Sequence, residues 1–114
     1  MGKLIVFIGE SGSGKTTLTK ELVNKYPNIF RRIVTCTSRQ MRNGEINGVD
    51  YNFLPEEYFI NNLGLVLKKK TTEGVYYGTK KSDLFSNRHI LLLTLRVVGV
   101  KSLVNLGFSN IIIV

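Results

Sequence analysis

The chain predicts a three-layer α/β fold, a parallel sheet with flanking helices interrupted by a small β-rich insertion. Three observations predict it. The sequence opens on a short apolar strand, Leu4-Ile5-Val6-Phe7-Ile8, followed by a glycine-rich loop and an apolar-striped helix. A second apolar run, His89-Ile90-Leu91-Leu92-Leu93-Thr94-Leu95, has no polar alternation, the mark of a central parallel strand buried on both faces. Between them lie short alternating segments punctuated by Asn43-Gly44 and Asn47-Gly48, which are turn signals. A single domain over residues 1–114 is expected, its core built from 1–34 and 79–114 and its insertion from about 35–78.

The elements follow in order. The first helix begins after the glycine loop, carries Leu18 and Leu22 on one face, and is broken by Pro27. Residues 32–37 read as a second strand, and Val49-Asp50-Tyr51-Asn52-Phe53 alternates as a third. Pro55-Glu56-Glu57 supplies the proline and acidic first turn of a helix running to about Leu63 and stopping at Gly64. Strands are predicted over 65–72 and 75–77 around the Glu73-Gly74 turn. A short helix over 82–86 leads into the apolar run. A helix over 100–106 and a last strand, Ile111-Ile112-Ile113-Val114, complete the pattern.

Composition sets the class. A chain with 43% apolar and 21% charged residues is an ordinary globular protein. No apolar run approaches the ~18 residues needed to span a bilayer, and the opening apolar stretch is too short for a signal peptide. The single cysteine, Cys36, excludes an intrachain disulfide and a cysteine metal cage, so a cytoplasmic home is expected. The net charge of +8 suits anionic partners. No nucleic-acid recognition motif accompanies it, so phosphorylated small molecules are the expected partners rather than nucleic acid or membrane.

Gly9-Glu10-Ser11-Gly12-Ser13-Gly14-Lys15-Thr16 fills every fixed position of the P-loop pattern G-x-x-x-x-G-K-[ST], between a strand and a helix as the motif requires. Gly9, Gly12 and Gly14 let backbone N–H groups and the helix N-terminus close around an anion. Lys15 reaches the β- and γ-phosphates, and the Thr16 hydroxyl ligates Mg²⁺. Gly9, Ser11, Gly12, Ser13, Gly14, Lys15, Thr16 and Thr17 are therefore the candidate triphosphate site.

Thr35-Cys36-Thr37-Ser38-Arg39-Gln40-Met41-Arg42-Asn43-Gly44-Glu45, continuing through Gly48-Val49-Asp50-Tyr51-Asn52-Phe53, closely resembles the GMP-binding signature of guanylate kinases. Tyr76-Tyr77-Gly78-Thr79 resembles that family's second GMP-binding element, and Val98-Gly99-Val100 continues the likeness more weakly. Arg39 and Arg42, three apart, have the planar guanidinium that grips a phosphate dianion in two-pronged fashion. The resemblance implies that Arg39, Arg42, Tyr51 and Tyr77 hold the GMP phosphate and that Thr35 and Thr79 touch guanine. It further implies ATP and Mg²⁺ as cofactors, GMP or another nucleoside monophosphate as acceptor, and Lys15, Arg39 and Arg42 as catalytic groups.

Three departures from the family pattern bear on activity. Lys68 stands where the resemblance puts the glutamate that reads guanine. Guanine offers N1–H and N2–H₂ donors, and a lysine has only donors to return. Glu73, five residues on, takes that place only if the strand register differs. The family's D-x-D at the end of the central strand reads Thr94-Leu95-Arg96 here. The family also continues into an arginine-bearing lid beyond this sequence, and such arginines are worth roughly 10³–10⁵ in rate. Low or absent turnover is the resulting expectation, the alternative being an inactive module of this fold that binds nucleotide or a phosphorylated partner. A chain stopping on an apolar strand also predicts self-association through its C-terminal region.

Overall fold

The structure, a computed structural model, describes residues 3–8, 14–61, 64–84, 88–95 and 110–113. Gly9, Ser11, Gly12, Ser13, Leu63, Arg96, Val114, residues 85 and 86 of the predicted 82–86 helix, the 98–100 match and the predicted 100–106 helix lie outside them. In chain order the elements are β1 (Lys3–Ile8), α1 (Lys15–Lys25), β2 (Phe30–Arg32), β3 (Cys36–Thr37), β4 (Asn52–Phe53) and α2 (Glu57–Ile60). Then come β5 (Leu65–Lys70), β6 (Tyr76–Lys80), a 3-10 helix (Lys81–Leu84), β7 (Ile90–Leu95) and β8 (Asn110–Ile113). They divide into two compact units, Met1–Ile33 with Leu84–Val114, and Val34–Asp83.

The first unit is a parallel sheet in the order β2-β7-β1-β8. Val6 on β1 lies across from Leu93 on one side and Ile113 on the other. Leu91, Leu92 and Leu93 are all fully buried. Three consecutive buried side chains mean both faces of β7 are covered, as its unbroken apolar sequence predicts. Leu4, Val6, Phe7, Ile33 and Leu84 are buried in the same unit. The α1 helix packs against β2 and β7. Its inward position is Thr19, fully buried, whereas Leu18 is 43% exposed, so the helix is rotated from the Leu18–Leu22 face expected of it. The helix stops at Tyr26, whose N–H reaches the Leu22 carbonyl, and Pro27 follows.

The strand expected over 32–37 is two strands in two sheets. Ile33 N–H donates to Leu92 O, still in the parallel sheet, and two residues later Thr35 O accepts from Asn52 N–H in the other. The chain passes from one unit to the next at this point, and a continuous apolar-polar pattern carries no mark of the change of partner.

The second unit is a mixed sheet, β4-β3-β6-β5, parallel between β3 and β4 and antiparallel elsewhere. The β5–β6 hairpin closes through Thr71, which exchanges bonds with Val75 and Gly74. One face of this sheet carries the core: Cys36, Phe59 and Leu65 are buried, with Leu54 and Tyr76 packed against them. Phe59 stacks on Tyr76 at 5.6 Å and 21°. Burial pushes the Cys36 thiol above its ordinary range, and its sulfur accepts a long contact from Asn52 Nδ2 at 3.8 Å. A bulge interrupts β5, two residues standing across from Gly78, with Leu67 in the left-handed region at φ 54. The helix predicted over 55–63 is one turn, Glu57–Ile60, and the strand predicted over 49–53 is only Asn52–Phe53. The Asp50 side chain diverts residues before it into a turn by accepting the Ile46 N–H at 2.8 Å.

Candidate functional site

In the first unit, β1 and α1 flank the glycine loop as the motif demands. Gly14 caps α1 at φ 84, a left-handed backbone that a residue with a Cβ adopts only under strain. Leu18 N–H returns to the Gly14 carbonyl at 3.0 Å, so helical bonding begins at the last loop residue. The first turn contains no acidic residue, leaving the positive end of the helix dipole unopposed by its own side chains. Of the loop residues assigned from sequence, Gly9, Ser11, Gly12 and Ser13 lie outside the described residues.

In the second unit, the sheet face opposite the Phe59 core is built around Arg39. Its guanidinium meets Glu45 end-on: Nη1 donates to Oε1 at 2.9 Å and Nη2 to Oε2 at 2.8 Å. Nη1 also donates to Gln40 O at 3.0 Å. The group lies 5.1 Å from the Tyr51 ring centre and 5.6 Å from that of Phe53. Tyr51 in turn sits 6.1 Å from Tyr77. Three of the five guanidinium N–H groups are thereby accounted for. The Nε–H/Nη2–H edge, the one that forks a phosphate side-on, carries none of these bonds, and the guanidinium has a further hydrogen bond with the Tyr77 hydroxyl. Arg42 is exposed, its charge acts on Glu45, and its backbone N–H donates to Glu45 Oε1 at 2.6 Å.

The loop carrying both arginines is tied at both ends. Thr37 Oγ1 donates to Tyr76 O at 3.0 Å and accepts the Arg39 N–H at 3.2 Å, while Ser38 Oγ accepts the Tyr76 N–H at 2.8 Å. At the far end Asn47 Oδ1 accepts the Phe53 N–H at 2.9 Å, and Gly48 N–H donates to Tyr51 O at 2.7 Å. A loop so bonded holds its cations in place before any ligand arrives, which lowers the ordering entropy lost on binding.

Glu45 stands within the signature read from the sequence, which gives it no role of its own. Its signal is visible afterwards: a carboxylate three residues from one arginine and six from the other, beside Gly44 at φ 85. Arg39 holds the Glu45 carboxyl down at about 2, and the same pairing raises the Arg39 pKa. A depressed carboxylate stabilises the fold above its unfolded pKa of about 4.5, and that contribution disappears as pH falls through the folded value near 2. The denaturant midpoint of the wild type is therefore expected to exceed that of Glu45→Gln at pH 6 and to converge on it between pH 4.5 and 2. Paired urea titrations at pH 6 and pH 3 check this, and a gap that stays constant refutes it.

Thr35 and Thr79 come together on this face. The β3–β6 register pairs Cys36 with Gly78 and Thr37 with Tyr77, so Thr35 stands across from Thr79 one step further on. Both are buried, and neither hydroxyl has a hydrogen-bond partner. Buried polar groups are nearly always paired, and the exceptions mark places where a ligand or water completes the structure. Lys68, by contrast, is not on this face. Its Cγ lies 3.5 Å from where a Gly78 Cβ would stand, beside Phe59 on the core side. The bulge is the reason: it shifts the strand by one, and Lys69 takes the position across from Tyr77. Glu73 lies in the hairpin turn, and the strand from Val75 to Thr79 separates them by about 13 Å at the usual rise.

A family model described as guanylate kinase matches residues 1–113. The chain belongs to the guanylate kinase family. Among its relatives, the guanylate kinase of Chlorobium luteolum is 35% identical over 108 residues, covering 90% of this chain and 54% of its own. That of Chlamydia trachomatis serovar D is 39% identical over 84 residues, 72% of this chain and 41% of its own. The crystal structure of guanylate kinase from Anaplasma phagocytophilum matches 98% of the chain at a TM-score of 0.73 and 24% identity, covering 57% of that protein. That likeness establishes the fold. The chain spans about half the length of the guanylate kinases it matches. No helix among the described residues is long and apolar enough to cross a membrane.

Proposed function

We propose that the chain handles nucleotides as a guanylate kinase does, with ATP as phosphoryl donor, GMP as acceptor, and ADP and GDP as products. In this reading the two units are the P-loop core and the acceptor-binding insertion of one guanylate-kinase-like domain. The observation that carries it is the Arg39 guanidinium, fixed by Glu45, packed on Tyr51 and Phe53 and hydrogen-bonded to the Tyr77 hydroxyl, so that a cation and a phenol meet where a phosphate would bind. Arg42 and the Tyr51 and Tyr77 hydroxyls complete the phosphate grip, and Thr35 and Thr79 meet the base.

Lys15 stabilises charge on the transferring phosphoryl, and the first-turn amides of α1 bind its oxygens. An acceptor phosphate oxygen attacks the γ-phosphorus in line, the bond to ADP breaks, and GDP forms. The donor set suits Mg²⁺ through the Thr16 hydroxyl and phosphate oxygens, the mode this ion prefers over an all-protein cage; no cluster of three metal-binding side chains occurs among the described residues. Bound there, the ion neutralises charge on the β- and γ-phosphates. With Thr94-Leu95-Arg96 lacking the acidic pair, turnover falls below the ~1–100 per second usual for kinases.

The test is GDP formation from ATP, GMP and Mg²⁺ by the purified chain, with Lys15→Ala as the blank. Slow turnover that the substitution abolishes supports the reading. GMP binding without turnover leaves the inactive nucleotide-binding module. Neither binding nor turnover overturns both.

A further inference from the structure

The face that holds Arg39 also fixes what the neighbouring base is asked for. Across the sheet its rows run Thr35–Thr79–Val66 and Thr37–Tyr77–Lys69. The first row presents two buried hydroxyls without partners and ends on an apolar side chain. The second ends on an exposed lysine, because the bulge at Leu67 and Lys68 turns Lys68 towards Gly78 and Phe59 and brings Lys69 across from Tyr77.

The chemistry offered is therefore hydroxyl O–H, ammonium N–H and a hydrocarbon wall. A hydroxyl donates one hydrogen bond and can accept through its lone pairs, whereas an ammonium donates without accepting. The six carboxylates of this unit lie elsewhere: Glu45 bonds Arg39 and the Arg42 N–H, Asp50 accepts the Ile46 N–H, Glu73 belongs to the hairpin turn, Glu56 and Glu57 open α2 on the Phe59 side, and Asp83 acts on the Cys36 thiol of that same core. A 6-oxopurine offers acceptors at O6 and N7, which two hydroxyl donors match. Its N1–H and any 2-amino group are donors and gain no carboxylate among the described residues of this unit.

We propose that this site reads 6-oxopurine nucleotides through their O6/N7 acceptor edge and is indifferent to the 2-amino group, so that inosine monophosphate binds as well as GMP. The proposal rests on the reading of this face as the monophosphate site. It departs from a site that demands guanine: discrimination of 10⁴ or more arises when buried groups of the site are left unpaired by the wrong ligand, and with the two hydroxyls satisfied as donors to O6 and N7, a missing 2-amino group leaves no carboxylate unpaired among the described residues of this face.

Calorimetric titration of the full chain with GMP, inosine monophosphate and ribose 5-phosphate tests it. The expected result is equal affinity for the two purine nucleotides within about threefold, and weaker binding of ribose 5-phosphate. GMP bound about 30-fold or more tightly than inosine monophosphate overturns the inference and leaves the monophosphate site standing. If neither nucleotide binds, or if Arg39→Ala binds both as the wild type does, the site itself is misread and the inference falls with it. As a second arm, Thr79→Val is expected to weaken both nucleotides alike, about tenfold, and to leave ribose 5-phosphate unchanged. Unequal losses, or none with the fold intact by circular dichroism, also refute it.

Discussion

Replacing Arg39 by alanine lowers affinity for a nucleoside monophosphate by about 100-fold and leaves affinity for the parent nucleoside within about twofold. The size follows from the fork. Two charge-assisted bonds from one guanidinium edge are worth about 3 kcal/mol together after desolvation, and each 1.4 kcal/mol is tenfold in affinity. The selectivity follows because a nucleoside keeps the base and sugar but has no phosphate for the fork to hold. Arg39→Lys is expected to rescue little. An ammonium carries the charge but cannot bond Glu45 through one edge and a phosphate through the other. Calorimetry with GMP and guanosine on wild type, Arg39→Ala and Arg39→Lys makes the comparison. Parallel losses for both ligands would mean that Arg39 supports the loop rather than the phosphate, and full rescue by lysine would mean that only its charge matters.

The parts of this protein legible in the sequence are those whose signal is local. The strand–glycine–helix opening and the unbroken apolar run of β7 follow from short-range pattern, and both were placed within a residue or two at most edges. What the sequence hid is set by long-range partners. The strand expected over 32–37 divides because its two ends hydrogen-bond to different sheets, and nothing in Arg32-Ile33-Val34-Thr35 marks the exchange. Leu18 lost the inward position to Thr19 because a short helix has no strong apolar stripe to fix its rotation. Resemblance to the family pattern assigns Lys68 to the glutamate position; a single bulge turns it to the core face and puts Lys69 across from Tyr77. Glu45 takes no role of its own from the sequence because that role exists only when the loop folds back on Arg39.

The second large effect lies beneath the site. Phe59→Ala is expected to destabilise the Val34–Asp83 unit by about 3–5 kcal/mol, the range for deleting a buried phenylalanine. That is a large fraction of the roughly 5–15 kcal/mol that holds a small domain folded. Phe59 is only 2% exposed, stacks on Tyr76, and fills the space left by Gly78 on β6, where its ring comes within 3.6 Å of a would-be Cβ. It reaches that place from a single helical turn, so no second side chain of the turn is buried to share the load. Cys36 and Leu65 flank it on strands whose positions are fixed by hydrogen bonds, which limits how far they collapse into the cavity. The same β6 strand carries Tyr77 and Thr79 on its other face, so a vacancy behind Gly78 loosens those two residues as well. Urea titration of Phe59→Ala against wild type measures the loss, and amide exchange at Tyr77 and Thr79 locates it. Faster exchange at those two amides, with Leu91–Leu93 unchanged, assigns the defect to this unit. A loss below about 1 kcal/mol would mean that the pocket refills and that β6 is held by its ladder bonds alone, since a well-packed core site rarely gives so small a value.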